Sequence, residues 1–257
     1  MKAIIIGAGR GQRLMPSTAE APKCFAEVGG RRILEWAIEA FVDNDIDRIC
    51  FIGGYRIESV KTAYPRFDFK HNVDWENNNI LASLMHAEAE MDGGFICCYS
   101  DILFTGRVID RCLKSTVDIS LVVDTEWLDR YRHRMNHPSD DAEKVTVANG
   151  LVTRIHRAIA ESDAHGEFVG VARFSAAGAR QLRDHYHRAR TEYAGRPYRE
   201  AAQFEKAYLI QMLQDMIESG VTMHHIDTAG EYMEIDTQED FELARRDWGV
   251  LGTHEES

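Results

Sequence analysis

The chain is short of several things, and each shortage excludes a class of protein. The opening MKAIIIGAGRG breaks at Gly7 after a brief apolar run, far too short for a membrane span or a secretory leader, so neither is expected. Basic charge is scarce. Thirty Lys and Arg face 42 Asp and Glu, a net charge of −12, which repels a nucleic-acid backbone. An anionic small molecule would therefore need a local basic pocket or a metal. Cysteine pairing is also missing: Cys24, Cys50, Cys97, Cys98 and Cys112 are odd in number and form no C-x-x-C pair. Three of them sit in apolar strand-like runs and read as reduced core thiols, the cysteine usage of a cytoplasmic protein. There is no internal repeat and no low-complexity segment. What remains, 44% hydrophobic and 28% charged over 257 residues, suits a soluble α/β domain with a full core.

What is present is concentrated at the start. Ala3 to Ile6 is a buried-strand run, followed by Gly7, Gly9 and Gly11 at alternate positions, Arg13, and a Pro22-Lys23 pair after a polar loop. Glycine lacks a Cβ, so backbone N–H groups can approach an anion closely and form a phosphate nest. Arg13 and Lys23 add positive charge to it. Two familiar phosphate loops do not fit. A dinucleotide-binding turn needs G-x-G-x-x-G, but Gln12 stands at the last glycine position and the second strand, ICFIGG, ends without an acid. A P-loop needs Gly-Lys followed by Ser or Thr, which is absent here.

Downstream, apolar runs alternate with helical periodicity. Strands are expected at Arg48 to Ile52, Phe67 to Asn72, Phe95 to Tyr99 and Ile119 to Val123. Helices are expected at Ile33 to Val42, Glu58 to Ala63, Ile80 to Met91 and Val108 to Lys114. This is an α/β pattern: a Rossmann-like, mostly parallel sheet with helices on both faces and ligands beyond the strand C-termini. Thr125 to Asp141 reads as a charged loop, and Lys144 to Ile155 as a hairpin about Asn149-Gly150. A strand at Glu167 to Phe174 follows, then helices at Ala176 to Arg190 and Glu205 to Ser219. Short strands at Val221 to Ile226 and Tyr232 to Ile235 precede a last helix, Phe241 to Trp248, opened by a capping box at Thr237 to Asp240. The single domain then divides into an alternating α/β core (1–124), a stretch with the hairpin (125–230) and a C-terminal piece (231–257).

Ala8-Gly9-Arg10-Gly11-Gln12-Arg13-Leu14, with Pro16, Thr18, Pro22 and Lys23, resembles the A-G-x-G-x-R-L…P-x-T…P-K signature of the sugar-nucleotidyltransferase-like superfamily. That superfamily includes nucleotide-sugar pyrophosphorylases and small-alcohol cytidylyltransferases. The resemblance implies that Ala8, Gly9 and Gly11 bind nucleotide, that Arg13 holds the β/γ-phosphates, and that Lys23 neutralises the α-phosphoryl. It also implies acids where Asp101 ends a strand and Asp236 precedes the last helix. Two aspartates converging from distant parts of the chain suit Mg²⁺. Asn72 to Leu84, NVDWENNNILASL, resembles the base segment of cytidylyltransferases acting on phosphocholine and phosphonates. This makes Asn78, Asn79 and Ser83 nucleotide contacts, with a plain helix N-cap as the alternative.

Gly166-Glu167-Phe168-Val169-Gly170 resembles the G-E-[FY]-x-G stretch bordering the acceptor pocket in the same enzymes. Glu167, and Lys144 on the hairpin, are then acceptor-binding. The expected reaction is Mg²⁺-dependent transfer of CMP from CTP to a phosphonate or phosphate oxygen, with a small anionic acceptor slightly favoured. No nucleic acid and no membrane partner is expected, and a homodimer is compatible with the resemblance. A sugar-1-phosphate nucleotidyltransferase and an inactive nucleotide-binding regulator are the alternatives. Trp75, His133, His137 and His224-His225 read as packing or surface residues.

Overall fold

The computed structural model describes residues 1–14, 20–132 and 134–251. Pro16 and Thr18 of the loop, His133, and the tail from Gly252 lie outside them. Strand β1 (Lys2–Gly7) sends Ile4 and Ile6 into one core layer and Ala3 and Ile5 into the other, as a strand covered on both faces must. A small β2 (Glu27–Val28) and β3 (Arg31–Arg32) turn leads into α1 (Ile33–Val42). Then come β4 (Ile49–Gly53), α2 (Ile57–Ala63), β5 (Asp68–His71), α3 (Ile80–Met85) and β6 (Phe95–Tyr99). β7 (Ile102–Phe104), α4 (Gly106–Lys114), β8 (Ile119–Asp124) and α5 (Trp127–Tyr131) follow. The second half holds β9 (Lys144–Ala148), β10 (Leu151–Ile155), β11 (Gly166–Phe174), α6 (Ala176–Tyr193) and α7 (Leu209–Glu218). β12 (His224–Thr228), β13 (Tyr232–Glu234) and α8 (Gln238–Leu251) complete it.

The α/β class and the Rossmann-like core are as expected. Nine strands form one sheet in the order β5-β4-β1-β6-β11-β8-β12-β10-β9. Its first four strands are parallel, and β8 runs parallel to β12. β11 lies antiparallel between β6 and β8, so the sheet is mixed where the local pattern suggested a mostly parallel one. β11 and β12 come from the 125–230 stretch yet sit inside the central sheet. β9 also pairs with the start of β11, which closes β11, β8, β12, β10 and β9 into a ring.

Three local expectations change. The helix read over Ile80 to Met91 ends at Met85 and resumes as a 3₁₀ turn at Glu88–Glu90. The helix read from Glu205 starts at Leu209, after a 3₁₀ turn at Phe204–Lys206. The loop read over Thr125 to Asp141 contains α5 and a 3₁₀ turn at Ser139–Asp141. All five cysteines are free and buried, and burial pushes the thiols of Cys24, Cys50, Cys97 and Cys112 up to about 12. Among the described residues, no helix is long and apolar enough to cross a membrane.

Candidate active site

The site begins where β1, β4 and β6 end side by side. Gly7 lies so close to Phe51 and Ser100 that a Cβ would sit 2.7 Å from each. Gly11, at φ +66°, packs against the Lys23 stem, where a Cβ would meet Lys23 Cβ at 2.9 Å. The glycine loop thus does two things: it opens backbone toward the cavity and clamps one lysine. Lys23, 8% exposed, sits in a 3₁₀ turn after Pro22. Its Nζ donates to Asp101 Oδ2 at 2.7 Å and to Asp236 Oδ1. Arg13 Nη2 donates to Asp236 Oδ2, and Arg13 Nη1 stands 3.6 Å from Asp141.

Four residues named from three separate stretches of sequence therefore meet at one point. Burial alone would pull the Lys23 ammonium down, but Asp101 and Asp236 hold it above its ordinary value. Burial works against charge on Asp236 too, yet Lys23 and Arg13 keep its carboxyl below the usual range.

Asp236 is aimed by α8. Asp240 Oδ2 accepts from the Asp236 and Thr237 backbone N–H groups at 3.1 and 2.8 Å, and the Asp240 N–H donates back to Thr237 Oγ1 at 3.2 Å. This is the capping box seen in the sequence, extended: Asp240 also pairs with Arg134 at 3.0 Å and His137 Nδ1 at 3.1 Å. Asp101 follows β6 directly, and the antiparallel pair of β7 and β13 ties its turn to the segment carrying Asp236. β13 was expected from the sequence; β7, at three residues, is too short to show a period.

Two cavities open from this point. The first, about 310 Å³, is lined by Gly7, Ala8, Gly9, Gly11, Trp75, Asn78 and Ser83 beside the Lys23 cluster. All six expected nucleotide contacts line it, Asn79 included. Asn78 and Ser83 are joined through the buried Asn72. Asn72 Nδ2 donates to Asn78 Oδ1 and Ser83 Oγ at 2.8 and 2.9 Å. Asn79 is the N-cap of α3, accepting from Ile80 N at 2.8 Å, so the cap and the cavity wall are here the same segment. Trp75 packs edge-on to Tyr55 and against Gly54 while also lining the cavity.

The second cavity, about 330 Å³, shares Arg13, Asn79, Ile80, Tyr99, Asp101, Tyr208 and Asp236 with the first. A break in the β11–β8 register between Phe168 and Ala172 shapes its floor. There Gly170, at φ +76°, lets the Tyr99 ring approach to within 2.4 Å of where a Cβ would be. Glu167 lines this cavity and accepts from Tyr131 Oη at 2.6 Å.

Lys144 does not line it. Its Nζ donates to Ser139 O at 2.9 Å and lies over the Trp127 ring, covered by the turn and α5 that the sequence showed only as a loop. The neighbouring Glu143 lines the cavity instead, with Arg157 Nη2 3.3 Å from its Oε1 and Tyr99 Oη 3.4 Å from its Oε2. Burial pushes the Glu143 carboxyl up to about 7 against the pull of Arg157. Glu143, Arg157, Tyr99, Tyr208 and Glu234 were not singled out from the sequence, and His137, read there as a packing or surface residue, is buried and lines the cavity. None belongs to a motif, and long-range packing brings them together.

The carboxylates of Asp101 and Asp236 already share a cation, the Lys23 ammonium, and both face the open cavities, a donor set that fits a hard divalent ion.

A glycine nest at the ends of parallel strands, an embedded lysine and a pair of acids between two joined cavities define a nucleotidyltransferase. Residues 3–189 match the model of the MobA-like NTP transferase domain, and the chain belongs to that family. It is 26% identical over 253 residues to CTP:phosphoglutamine cytidylyltransferase of Campylobacter jejuni, covering 95% of this chain and 98% of that one. Over 111 residues, 42% of this chain and 45% of the relative, it is 30% identical to 2-aminoethylphosphonate cytidylyltransferase of Lancefieldella rimae. The solved structure of CTP:phosphocholine cytidylyltransferase from Streptococcus pneumoniae has the same fold. It matches with a TM-score of 0.73 over 95% of this chain and 97% of that one, at 20% identity.

Proposed function

We propose that this protein transfers CMP from CTP to an oxygen of a small phosphate or phosphonate acceptor and releases pyrophosphate. The observation that carries the proposal is the junction: the nucleotide-side and acceptor-side cavities share Arg13, Asp101 and Asp236, with Lys23 buried at their boundary. A phosphorus acid is largely ionised at neutral pH, so its attack on the α-phosphorus needs no general base. Catalysis is then positioning and charge stabilisation. Lys23 neutralises the α-phosphoryl, and Arg13 holds the phosphates that leave. The Asn72–Asn78–Ser83 network offers oriented amide and hydroxyl groups to a pyrimidine edge. Asp101 and Asp236 would hold a Mg²⁺ ion, which supplies Lewis-acid polarisation of the phosphoryl oxygens when bound.

The acceptor carries a cationic or zwitterionic head beyond its phosphorus group. Six acidic side chains line the second cavity (Asp101, Asp141, Glu143, Glu167, Glu234 and Asp236) with two guanidiniums, Arg13 and Arg157; Lys23 takes up Asp101 and Asp236, and burial pushes the Glu143, Glu167 and Glu234 carboxyls up. An ammonium brought to that end would draw these carboxyls toward their charged form and be held by them. Tyr99, Phe168, Tyr208 and Tyr232 add aromatic wall for an ammonium to lie against. A small phosphonate, the acceptor slightly favoured from sequence, meets this wall best when it also carries an ammonium. The acceptors named for two relatives, phosphoglutamine and 2-aminoethylphosphonate, both join a phosphorus acid to a nitrogen-bearing head.

The test is pyrophosphate release with four nucleoside triphosphates against 2-aminoethylphosphonate, phosphocholine, phosphoglutamine, hydroxyethylphosphonate, phosphonoacetate and glucose-1-phosphate. CTP with a nitrogen-bearing acceptor should exceed phosphonoacetate by at least about tenfold in kcat/KM, a difference of about 1.4 kcal/mol. Glucose-1-phosphate as best acceptor would replace this reading with sugar transfer. Nucleotide binding without any turnover would replace it with a regulator.

A further inference from the structure

Apart from the catalytic cavities, the chain brings two imidazoles and a carboxylate to one point. His225 and Asp227 stand two apart on β12 and so project from the same face of that strand. Their register partners on β8 are Leu121 and Val123, core residues of the same sheet face, while the two β12 side chains themselves stay partly exposed at its edge. His165 is the residue before β11, and its backbone N–H donates to Val145 O at 2.8 Å as β9 closes the ring onto β11. Both rings turn to the same oxygen. His165 Nε2 lies 2.9 Å and His225 Nδ1 2.7 Å from Asp227 Oδ1, and the two ring centroids are 4.8 Å apart. The donor atoms of the three side chains all fall within 4.8 Å of one another.

We propose that His165, His225 and Asp227 form a transition-metal site, with Zn²⁺ the ion it fits best, bracing the mouth of the five-stranded ring. Two nitrogens and one oxygen are the donors of a borderline ion and a poor set for Mg²⁺, which the Asp101–Asp236 pair suits. Ligands held about 2.0–2.2 Å from a tetrahedral zinc lie somewhat further apart than hydrogen-bonded atoms do. Binding therefore asks both rings to turn from the shared Asp227 oxygen toward an ion held among the three donors. The backbone cost is already met, since all three residues are fixed by strand pairing. All three side chains keep solvent access, with Asp227 42% exposed, so water completes the coordination. The ion would tie the start of β11 to β12, two strands that β8 separates in the sheet. Glu167, two residues beyond His165, lines the acceptor cavity, so the brace stands beside that wall.

The test uses the full chain stripped with EDTA and returned to saturating Mg²⁺. Zn²⁺ is then titrated by competition with a chromophoric chelator, and Co²⁺ by its visible spectrum. One equivalent should bind with micromolar or tighter affinity, raise the melting temperature, and give the intense d–d bands of tetrahedral nitrogen–oxygen coordination. His225→Gln and Asp227→Asn should each weaken binding at least tenfold and remove the zinc-dependent rise in melting temperature. Asp236→Asn should leave all three readouts in place. It reports on the other grouping of metal-type donors found among the described residues, His137, Glu234 and Asp236. Tight binding that survives both β12 substitutions, or that disappears in Asp236→Asn, overturns the assignment. So does the absence of binding at 100 µM Zn²⁺.

Discussion

At Lys23 burial and charge oppose each other, and charge wins because two carboxylates face one ammonium. A group held this way contributes most where charge develops. Lys23→Ala should lower kcat by on the order of 10²-fold while moving KM for CTP much less. Arg13 is more exposed and would meet phosphates that are charged before and after the reaction, so Arg13→Ala should act mainly on KM. Steady-state pyrophosphate release with CTP varied separates the two. A Lys23→Ala enzyme with normal kcat and raised KM would make Lys23 a binding residue.

Glu143 makes a prediction of opposite sign. Burial pushes its carboxyl up to about 7 in the fold, from an ordinary value of about 4.5 in the unfolded chain. Between these values the folded chain binds more protons than the unfolded one, so stability falls as pH rises from about 4.5 through 7. Glu143→Gln removes that cost and also removes the partner of Arg157. The variant should melt higher than wild type at pH 8, by about 1–3 kcal/mol in stability, and show no gain at pH 5. Its KM for a cationic acceptor should rise. Thermal melts at the two pH values and acceptor kinetics check the two halves separately.

At the scale of elements, α8 does more than pack. Its capping carboxylate, Asp240, is buried, ties down the Asp236 backbone, and reaches Arg134 and His137. Although burial opposes the charge, His137 and Arg134 hold Asp240 down to about 2. This stabilisation is fully present above about pH 4, the unfolded value, and is lost as pH falls toward 2. Asp240→Ala should cost about 3 kcal/mol in chemical denaturation and lower kcat through a looser Asp236, with KM for CTP nearly unchanged.

The capping box was legible because Thr237 and Asp240 lie three apart, and so were α1 and the Asn149-Gly150 hairpin, whose periods are long and clean. α5 and β7, at five and three residues, are shorter than any period that could betray them, whereas β13 was expected at Tyr232 to Ile235. That gap cost the placement of Lys144. It reads as a lone basic residue on a hairpin, whereas its Nζ is taken up by Ser139 O and the Trp127 ring, on the turn and α5. Glu143 carried no local signal at all, since its environment comes from Tyr99 and Arg157.

For the molecule as a whole, the parallel half of the sheet follows from alternating strand and helix patterns, and so does the line of strand ends where ligands gather. The antiparallel insertion of β11 and the ring do not follow. Both depend on pairing between strands far apart in sequence, such as β12 with β8, which no local window contains. The motif residues were nevertheless found, because a phosphate nest and strand-end acids carry their chemistry in short stretches.

The bridge of Lys23 between Asp101 and Asp236 has a thermodynamic consequence for how ligands load. In the free protein these charges satisfy one another. A divalent ion arriving alone must take the two carboxylates and strand a buried ammonium. A triphosphate arriving alone must draw off the ammonium and strand two carboxylates. Arriving together, each ligand supplies the counter-charge that the other removes. The two affinities are therefore linked, and linkage is reciprocal: Mg²⁺ should tighten a non-hydrolysable CTP analogue by the same factor as the analogue tightens Mg²⁺. Calorimetric titrations in both orders should return one coupling free energy of about 1–3 kcal/mol, and Lys23→Ala should reduce it by weakening the competition that each ligand meets alone.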